Sequence, residues 1–303
     1  MNTKSHKLID GAQQARLLKD SLIPRIAALK DIGITPTLAA ILVGDNPSSH
    51  VYVNSKCRQS EEIGIKPRPH FLPANTAAAT LFDLIKTLNQ DPTVHGILLQ
   101  LPLPAHLEAR PFIEAIAPHK DVDGLTLENA GRLATGADGV LPCTPKGCLK
   151  LIKTVIPDTA GLHAAVVGRS LLVGSPMAQL LLHKADCSVS IVHNLSLAPE
   201  RLCRQADILV VAAGVPGLIT PEWVKEGAVV IDVGITQIEK EDGTKTLAGD
   251  VAFDAVLPRV RAITPVPGGV GPMTVACLLE NTVELAETFG TLRRERRLPP
   301  FSS

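Results

Sequence analysis

Aromatic residues are scarce in this chain. One tryptophan, one tyrosine and six phenylalanines make up 3% of 303 residues. Hydrophobic residues reach 45%, so a large core is built mostly from Leu, Ile, Val and Ala, and the length allows two α/β domains. Charge of one sign is also missing: 30 Lys and Arg match 30 Asp and Glu. That balance gives no basis for a global attraction to nucleic acid or to an anionic membrane. The six cysteines, at 57, 143, 148, 187, 203 and 277, show no Cys-x-x-Cys or zinc-finger spacing, so free thiols and no metal site are expected. No apolar run reaches the length of a membrane span. The first residues, Met1 to Lys7, lack the apolar segment of a signal peptide. These absences lead to the expectation of a cytoplasmic protein with no nucleic-acid and no membrane partner.

A complete Gly-x-Gly-x-x-Gly fingerprint is lacking as well. In its place stands Ala164-Ala165-Val166-Val167-Gly168-Arg169-Ser170, followed by Val173-Gly174-Ser175-Pro176. The stretch reads as a buried parallel strand, a tight turn and a helix. Gly168 allows close backbone approach, Gly174 allows the helix to pack on the strand, and Pro176 suits the first helical turn. Such a turn aims free N–H groups at a phosphate. The next strand, Ser188 to Val192, ends in His193-Asn194 with no acid to bind a ribose 2′-hydroxyl. With Arg169 inside the turn, the pattern favours a 2′-phosphate, hence NADP. Arg169 reads alternatively as a solvated surface charge.

Strands and helices alternate along the chain, which means parallel sheets. The pattern predicts a helix over 10–31, a strand over 38–43, a capping turn over 44–49 and a helix from about His50 to Ile63. It continues with a short strand at 69–72, a helix capped by Thr76 and a strand over 94–99. Residues 118–144 read as loop. A helix over 145–155 leads into the glycine-turn strand, and further strands are expected over 207–213 and 228–233. Thr220-Pro221 reads as a helix start, Glu239–Gly243 as a surface hairpin, Pro265–Pro272 as a stiff loop and 273–289 as a helix. The run Arg293-Arg294-Glu295-Arg296-Arg297 reads as a solvated end.

Four more side chains attract attention. Tyr52 and Lys56 share a helix face at i, i+4. Gln100 follows a strand directly and Asp123 lies in a glycine loop, both positions where open α/β sheets place their sites. Each has an ordinary reading too. Lys56 fits a solvent-facing lysine, Tyr52 a packed ring with a wet hydroxyl, Gln100 a loop amide, and Asp123 an Asx-turn organising Lys120 to Gly124.

The ordered set decides between these readings. Tyr52-Val53-Asn54-Ser55-Lys56, Gln100-Leu101-Pro102-Leu103-Pro104, Lys120-Asp121-Val122-Asp123-Gly124, Pro142-Cys143-Thr144-Pro145-Lys146-Gly147, the Gly168 turn, and Pro265-Val266-Pro267-Gly268-Gly269-Val270-Gly271-Pro272-Met273-Thr274 occur in this order. The chain resembles the bifunctional methylenetetrahydrofolate dehydrogenase/methenyltetrahydrofolate cyclohydrolase family, called FolD in bacteria, over about residues 8 to 290.

The resemblance implies two α/β domains: an N-terminal catalytic domain over 1–144 and a Rossmann-type NADP domain over 145–271. A C-terminal helix over 272–292 returns to the first domain, and 293–303 forms a tail. It implies tetrahydrofolate one-carbon derivatives as substrates, NADP as cofactor and a homodimer. Lys56 matches the catalytic lysine, Gln100 the partner that positions it, and Tyr52 the residue that packs on the folate rings. An ordinary lysine amine titrates at about 10.4 and is a poor base near neutrality, so this role requires a neighbouring substrate cation to disfavour its charge. Leu99 and Leu101, beside Gln100, and Pro267, Gly268, Gly269, Val270 and Gly271 match substrate contacts. Asp123 matches the carboxylate that anchors an aminopyrimidinone edge. Gly168, Arg169, Ser170, His193, Asn194 and Ile235 match the cofactor site, with Asn194 standing where the family often has serine. A short-chain dehydrogenase also uses Tyr-x-x-x-Lys, but there the pair follows the glycine turn, whereas here it precedes it. A non-catalytic NADP-binding regulator would not need Tyr52, Lys56, Gln100 and Asp123 together, and a dehydrogenase-only relative would not need both Lys56 and Gln100.

Overall fold

The computed structural model describes residues 7–239 and 243–295. The middle of the expected hairpin and the arginine-rich end lie outside the described residues and side chains. The chain forms two compact units. The first holds Leu17–Ala130, Gly139–Leu141 and the chain from Leu278, and the second holds Gly131–Asp138, Pro142–Cys277 and the chain up to Arg16.

In chain order the elements of the first unit are α1 (Gly11–Asp31), β1 (Thr37–Val43), α2 (Pro47–Glu62), β2 (Lys66–Leu72), α3 (Ala78–Gln90), β3 (Gly96–Leu99), α4 (Ala109–Ala115) and α5 (Leu127–Ala134); α1 starts, and α5 ends, in the second unit. The three strands form a parallel sheet in the order β2-β1-β3. β1 is buried at every position, as expected of a charge-free run covered on both faces. On one face, Ile41 and Ile97 pack with Leu81, Ile85 and Leu88 of α3 and with Phe112 and Ile113 of α4.

Several local expectations change here. α2 begins at Pro47, not His50, because Asn46 Oδ1 accepts the Ser48 and Ser49 N–H groups. α3 has no side-chain cap, and the Thr76 hydroxyl donates instead to the Pro73 carbonyl at 2.6 Å. The stretch read as loop contains α5, with Gly131 inside it where a Cβ would meet open space. β2 is longer than the expected 69–72 and carries Pro67 and Pro69, which an edge strand tolerates.

The second unit continues with α6 (Cys143–Val155), β4 (His163–Val167), α7 (Gly174–Lys184), β5 (Ser188–Val192), α8 (Pro199–Cys203), β6 (Ile208–Val211), β7 (Val229–Asp232), β8 (Thr236–Glu239), β9 (Lys245–Ala248), α9 (Phe253–Val256), β10 (Ala262–Ile263) and α10 (Val270–Glu295). Its parallel sheet runs β10-β7-β6-β4-β5, and β8 and β9 make an antiparallel pair. Thr220 precedes only a single 3-10 turn, Pro221–Trp223, and makes no cap hydrogen bond to it. α10 begins at Val270, so Gly271 and Pro272, read as loop, lie in its first turn, where a missing N–H leaves no intrahelical bond unmade. From Leu278 onward α10 belongs to the first unit. There Glu287 takes a two-pronged bond from Arg25 at 2.9 and 2.7 Å, and Asn281 Nδ2 donates to the Val122 carbonyl at 2.8 Å. No helix among the described residues is long and apolar enough to cross a membrane. No cluster of His, Cys, Asp and Glu that could hold a metal occurs among them either.

Two buried carboxylates shape the loops after β6 and β7. Asp232 accepts the Gly234 and Asp250 N–H groups on Oδ1 and the Val251 N–H on Oδ2. Asp250 Oδ2 accepts the Ala213 and Gly214 N–H groups at 2.7 and 2.8 Å. Burial raises the Asp232 carboxyl to about 6, outweighing the backbone N–H bonds that pull it down. The folded chain therefore keeps a proton that the unfolded chain has lost, and stability falls as pH rises from about 3.8 to about 6. At about 1.4 kcal/mol per pH unit this amounts to roughly 3 kcal/mol at most. Asp232→Asn removes the dependence. In urea unfolding followed by the fluorescence of Trp223, the only tryptophan, the variant gains on the wild type across this window; parallel pH profiles for the two would refute it.

Candidate active site

The sheet of the first unit reverses its winding at β1: the chain goes to β2 on one side and then to β3 on the other. The crevice beyond the C-terminal ends of β1 and β3 is where such sheets take ligands. Gln100 stands directly after β3, and its N–H bonds the Ile41 carbonyl of β1 at 2.9 Å. α2 brings Lys56 to the same place, half-buried, and Lys56 Nζ donates to Gln100 Oε1 at 2.9 Å. The other half of the amide, Gln100 Nε2, donates to the Leu101 carbonyl at 2.6 Å. The amide is held at both ends, so Gln100 presents an acceptor to the lysine and cannot turn a donor toward it. Tyr52, one turn before Lys56 on α2, is 58% exposed. Leu99 is buried at the end of β3, and Leu101 follows Gln100 as a half-buried residue.

Asp123 is half-buried in the loop after α4. Its neighbour Asp121 organises the same loop. Asp121 Oδ2 accepts the Thr126 N–H and Asn129 Nδ2 at 2.9 and 3.0 Å, and the Asp121 carbonyl accepts the Gly124 N–H. Lys120 is a buried peg whose Nζ donates to the Leu88 and Asp91 carbonyls.

In the second unit the winding reverses at β4, between β5 and β6. Gly168 ends β4 at φ +113, and a Cβ there would run into the Ala212 carbonyl oxygen after β6. A Cβ on Gly174 would run into the Gly168 carbonyl oxygen. Both glycines are therefore required by the closeness of the two strand ends and α7. Ser170 Oγ accepts the Val173 and Gly174 N–H groups at 3.3 Å. Arg169 is exposed and makes no ion pair with another described residue. His193 is half-buried, with Nδ1 accepting the Leu195 N–H at 3.2 Å, and Asn194 is exposed. A cavity of about 410 Å³ in this unit is lined by Asp232, Ile235, Pro267, Gly268, Gly269, Val270 and Gly271, among others. The structure thus groups Lys56, Gln100 and Tyr52 in one unit, and Ile235 with the Pro267–Gly271 segment in the other.

Asp232 and Asp250 were not singled out from the sequence, although both govern the backbone around that cavity. Their signal was available: an acid closing an apolar strand, and a second acid after Gly249.

Comparison with known proteins follows the same lines. The catalytic-domain profile of the tetrahydrofolate dehydrogenase/cyclohydrolase family matches residues 9–123, and the NAD(P)-binding-domain profile of that family matches residues 142–289. The chain is 54% identical over 282 residues to bifunctional protein FolD 2 of Ectopseudomonas mendocina, covering 93% of this chain and 92% of that protein. The crystal structure of the FolD enzyme of Campylobacter jejuni superposes with a TM-score of 0.89 at 46% identity, covering 93% of this chain and 98% of the other. The Trypanosoma brucei FolD structure, complexed with NADP cofactor and inhibitor, gives 0.87 at 36% identity, covering 94% and 98%. By these matches over both of its parts, the chain belongs to the tetrahydrofolate dehydrogenase/cyclohydrolase family of bifunctional FolD enzymes.

Proposed function

We propose that this enzyme oxidises 5,10-methylenetetrahydrofolate to the 5,10-methenyl cation with NADP+ and hydrolyses that cation to 10-formyltetrahydrofolate, with Lys56 managing the protons. The single observation that carries the reading is the 2.9 Å bond from Lys56 Nζ to Gln100 Oε1 at the end of β3. An amine tied to one acceptor is aimed, not mobile, and an aimed group is what proton transfer needs.

NADP+ fits the second unit on its own residues. The Gly168 turn leaves no room for a side chain, Ser170 Oγ accepts the Val173 and Gly174 N–H groups where α7 begins, and Arg169 holds an exposed cation without an ion pair to another described residue. Arg169 would take the 2′-phosphate, His193 and Asn194 would flank it, and Ile235 would contact the cofactor through its backbone. When bound, NADP+ supplies the hydride acceptor. Asp232 and Asp250 keep the surrounding backbone in place by accepting five N–H bonds between them.

The pterin belongs on the first unit in this proposal, with Tyr52 against its rings and Asp123 accepting from its aminopyrimidinone edge. Next to the methenyl cation the neutral form of a lysine amine is favoured. Lys56 then accepts a proton from the water that attacks the methenyl carbon and returns it to N5 as the carbon–N5 bond breaks, while the proton of the new hydroxyl leaves to solvent as the formyl C=O forms. Gln100 keeps the amine pointed at that carbon. A homodimer in the cytoplasm completes the proposal, on family membership alone.

Three substitutions test it. Lys56→Ala loses cyclohydrolase activity by about a hundredfold or more, while NADP+ binding measured by calorimetry is retained; unchanged hydrolysis of methenyltetrahydrofolate rejects the lysine role. Arg169→Ala weakens NADP+ about tenfold to a hundredfold but NAD+ little, as a lost charge-assisted bond requires; equal losses in fluorescence titration reject the phosphate contact. Asp123→Ala raises the KM for methylenetetrahydrofolate about tenfold or more with kcat less affected; a wild-type KM removes Asp123 from the site.

A further inference from the structure

The first residues of α1 belong to the second unit, yet none of them lines the cavity that Ile235 shares with Pro267–Gly271. They touch its wall instead. Leu8 forms a parallel bridge with Ile263, and the Ile9 N–H donates to the Ile263 carbonyl at 2.9 Å. The chain thus enters α1 alongside β10, the edge strand of the sheet. Asp10 Oδ1 then accepts the Gln13 N–H at 2.9 Å and caps the helix. The Ala12 N–H is another of the early groups with no acceptor inside the helix. It donates to the Gly268 carbonyl at 3.0 Å.

Gly11 brings the two backbones together. It is buried, and a Cβ there would run into the Gly269 carbonyl oxygen. Gly269 has little room to yield. Its own Cβ would meet the Pro265 carbonyl oxygen at 2.6 Å and the Thr264 Cβ at 2.7 Å. Thr264 is in turn fixed, since its N–H donates to the Val230 carbonyl at 3.1 Å and its Oγ1 accepts the Asp232 N–H at 2.8 Å. A side chain at residue 11 therefore has two outcomes. It displaces the Gly268–Gly269 backbone, or it pulls the start of α1 away and breaks the Ala12–Gly268 bond. Both release the cavity wall.

We infer that Gly11 is a positioning residue for the reaction: the start of α1 clamps the Gly268–Gly269 backbone and so sets the shape of the cavity beside Ile235. The inference rests on the reading of Ile235 as a cofactor contact. Gly11 touches neither cofactor nor substrate in this role. It acts through the loop, and a shift on the order of 1 Å in a group that orients reactants costs up to about a hundredfold in rate.

The test uses the full chain and three readouts. Hydride transfer is followed by NADPH absorbance, NADP+ binding by calorimetry, and the loop by amide spectra of protein labelled on glycine nitrogen. Gly11→Ala is compared with Gly131→Ala, whose added Cβ meets open space, and each protein is measured well below its melting temperature. In Gly11→Ala the signals of Gly268, Gly269 and Gly271 shift while that of Gly168 stays. Its kcat falls about tenfold or more, and its NADP+ Kd changes less than about threefold. Gly131→Ala keeps the wild-type loop signals, kcat and Kd. Ala12→Pro removes only the N–H that holds Gly268, in a first helical turn that tolerates proline, and gives the same pattern more weakly. It carries the comparison should Gly11→Ala not fold. Loop signals that stay in place overturn the clamp and leave the cofactor reading of Ile235 as it stands. Shifted loop signals with a wild-type kcat overturn the inference and that reading together. A kcat loss matched by Gly131→Ala, or accompanied by an equal shift at Gly168, is general loosening and also overturns it.

Discussion

Parallel strands cannot follow one another by a hairpin, and each must be reached by a crossover. That constraint governs both units. In each, the first strand lies inside the sheet, the chain winds away to one side and then returns to the other. The two loops leaving the reversal point diverge, and the backbone beyond those strand ends is left uncovered. Gln100 stands at that point in one unit and Gly168 in the other. The positions of chemistry are thus a consequence of winding order before any particular side chain is considered.

At each reversal point, buried polar groups hold the loops. Gln100 is fixed through its backbone to Ile41, through one side-chain end to Leu101 and through the other to Lys56. Asp121 pins the loop that carries Asp123. Asp232 and Asp250 take N–H groups from segments that have no ladder partner for them. Burying a carboxylate is costly unless several donors converge on it, and here they do. The expense is visible in Asp232, whose proton is held well above the ordinary aspartate range. The return is a set of loops whose backbone N–H groups are tied to those carboxylates.

Much of this could be read from the residues, and the failures have local causes. β1, β3, β4, β6 and β7 are buried strands without internal charge, and they stand out as such. β2 does not, because Lys66, Pro67, Arg68 and Pro69 look unlike a strand until one knows that it is an edge. α5 was hidden by Gly131 and Gly136, and α4 and α8 are too short for a helical period to show. Thr76 has the chemistry of a cap but spends its hydroxyl on Pro73. The glycine turn and the Tyr52–Lys56 spacing were both legible, since each is a local pattern. The part of Asp121 in organising its loop was not, because its partners Thr126 and Asn129 meet it only once the loop is folded.

By itself the sequence determined the α/β class, the phosphate-type turn at Gly168, the ordered motifs and through them the family. These depend on spacing within a few residues of chain, where backbone geometry limits the outcomes. Only the tertiary structure decided that Lys56 meets Gln100 and that Asp250 reaches back to Ala213 and Gly214. It alone set Gly11 against the Gly269 carbonyl. Those meetings join residues far apart in the chain, and packing alone chooses which distant side chains share a low-dielectric space.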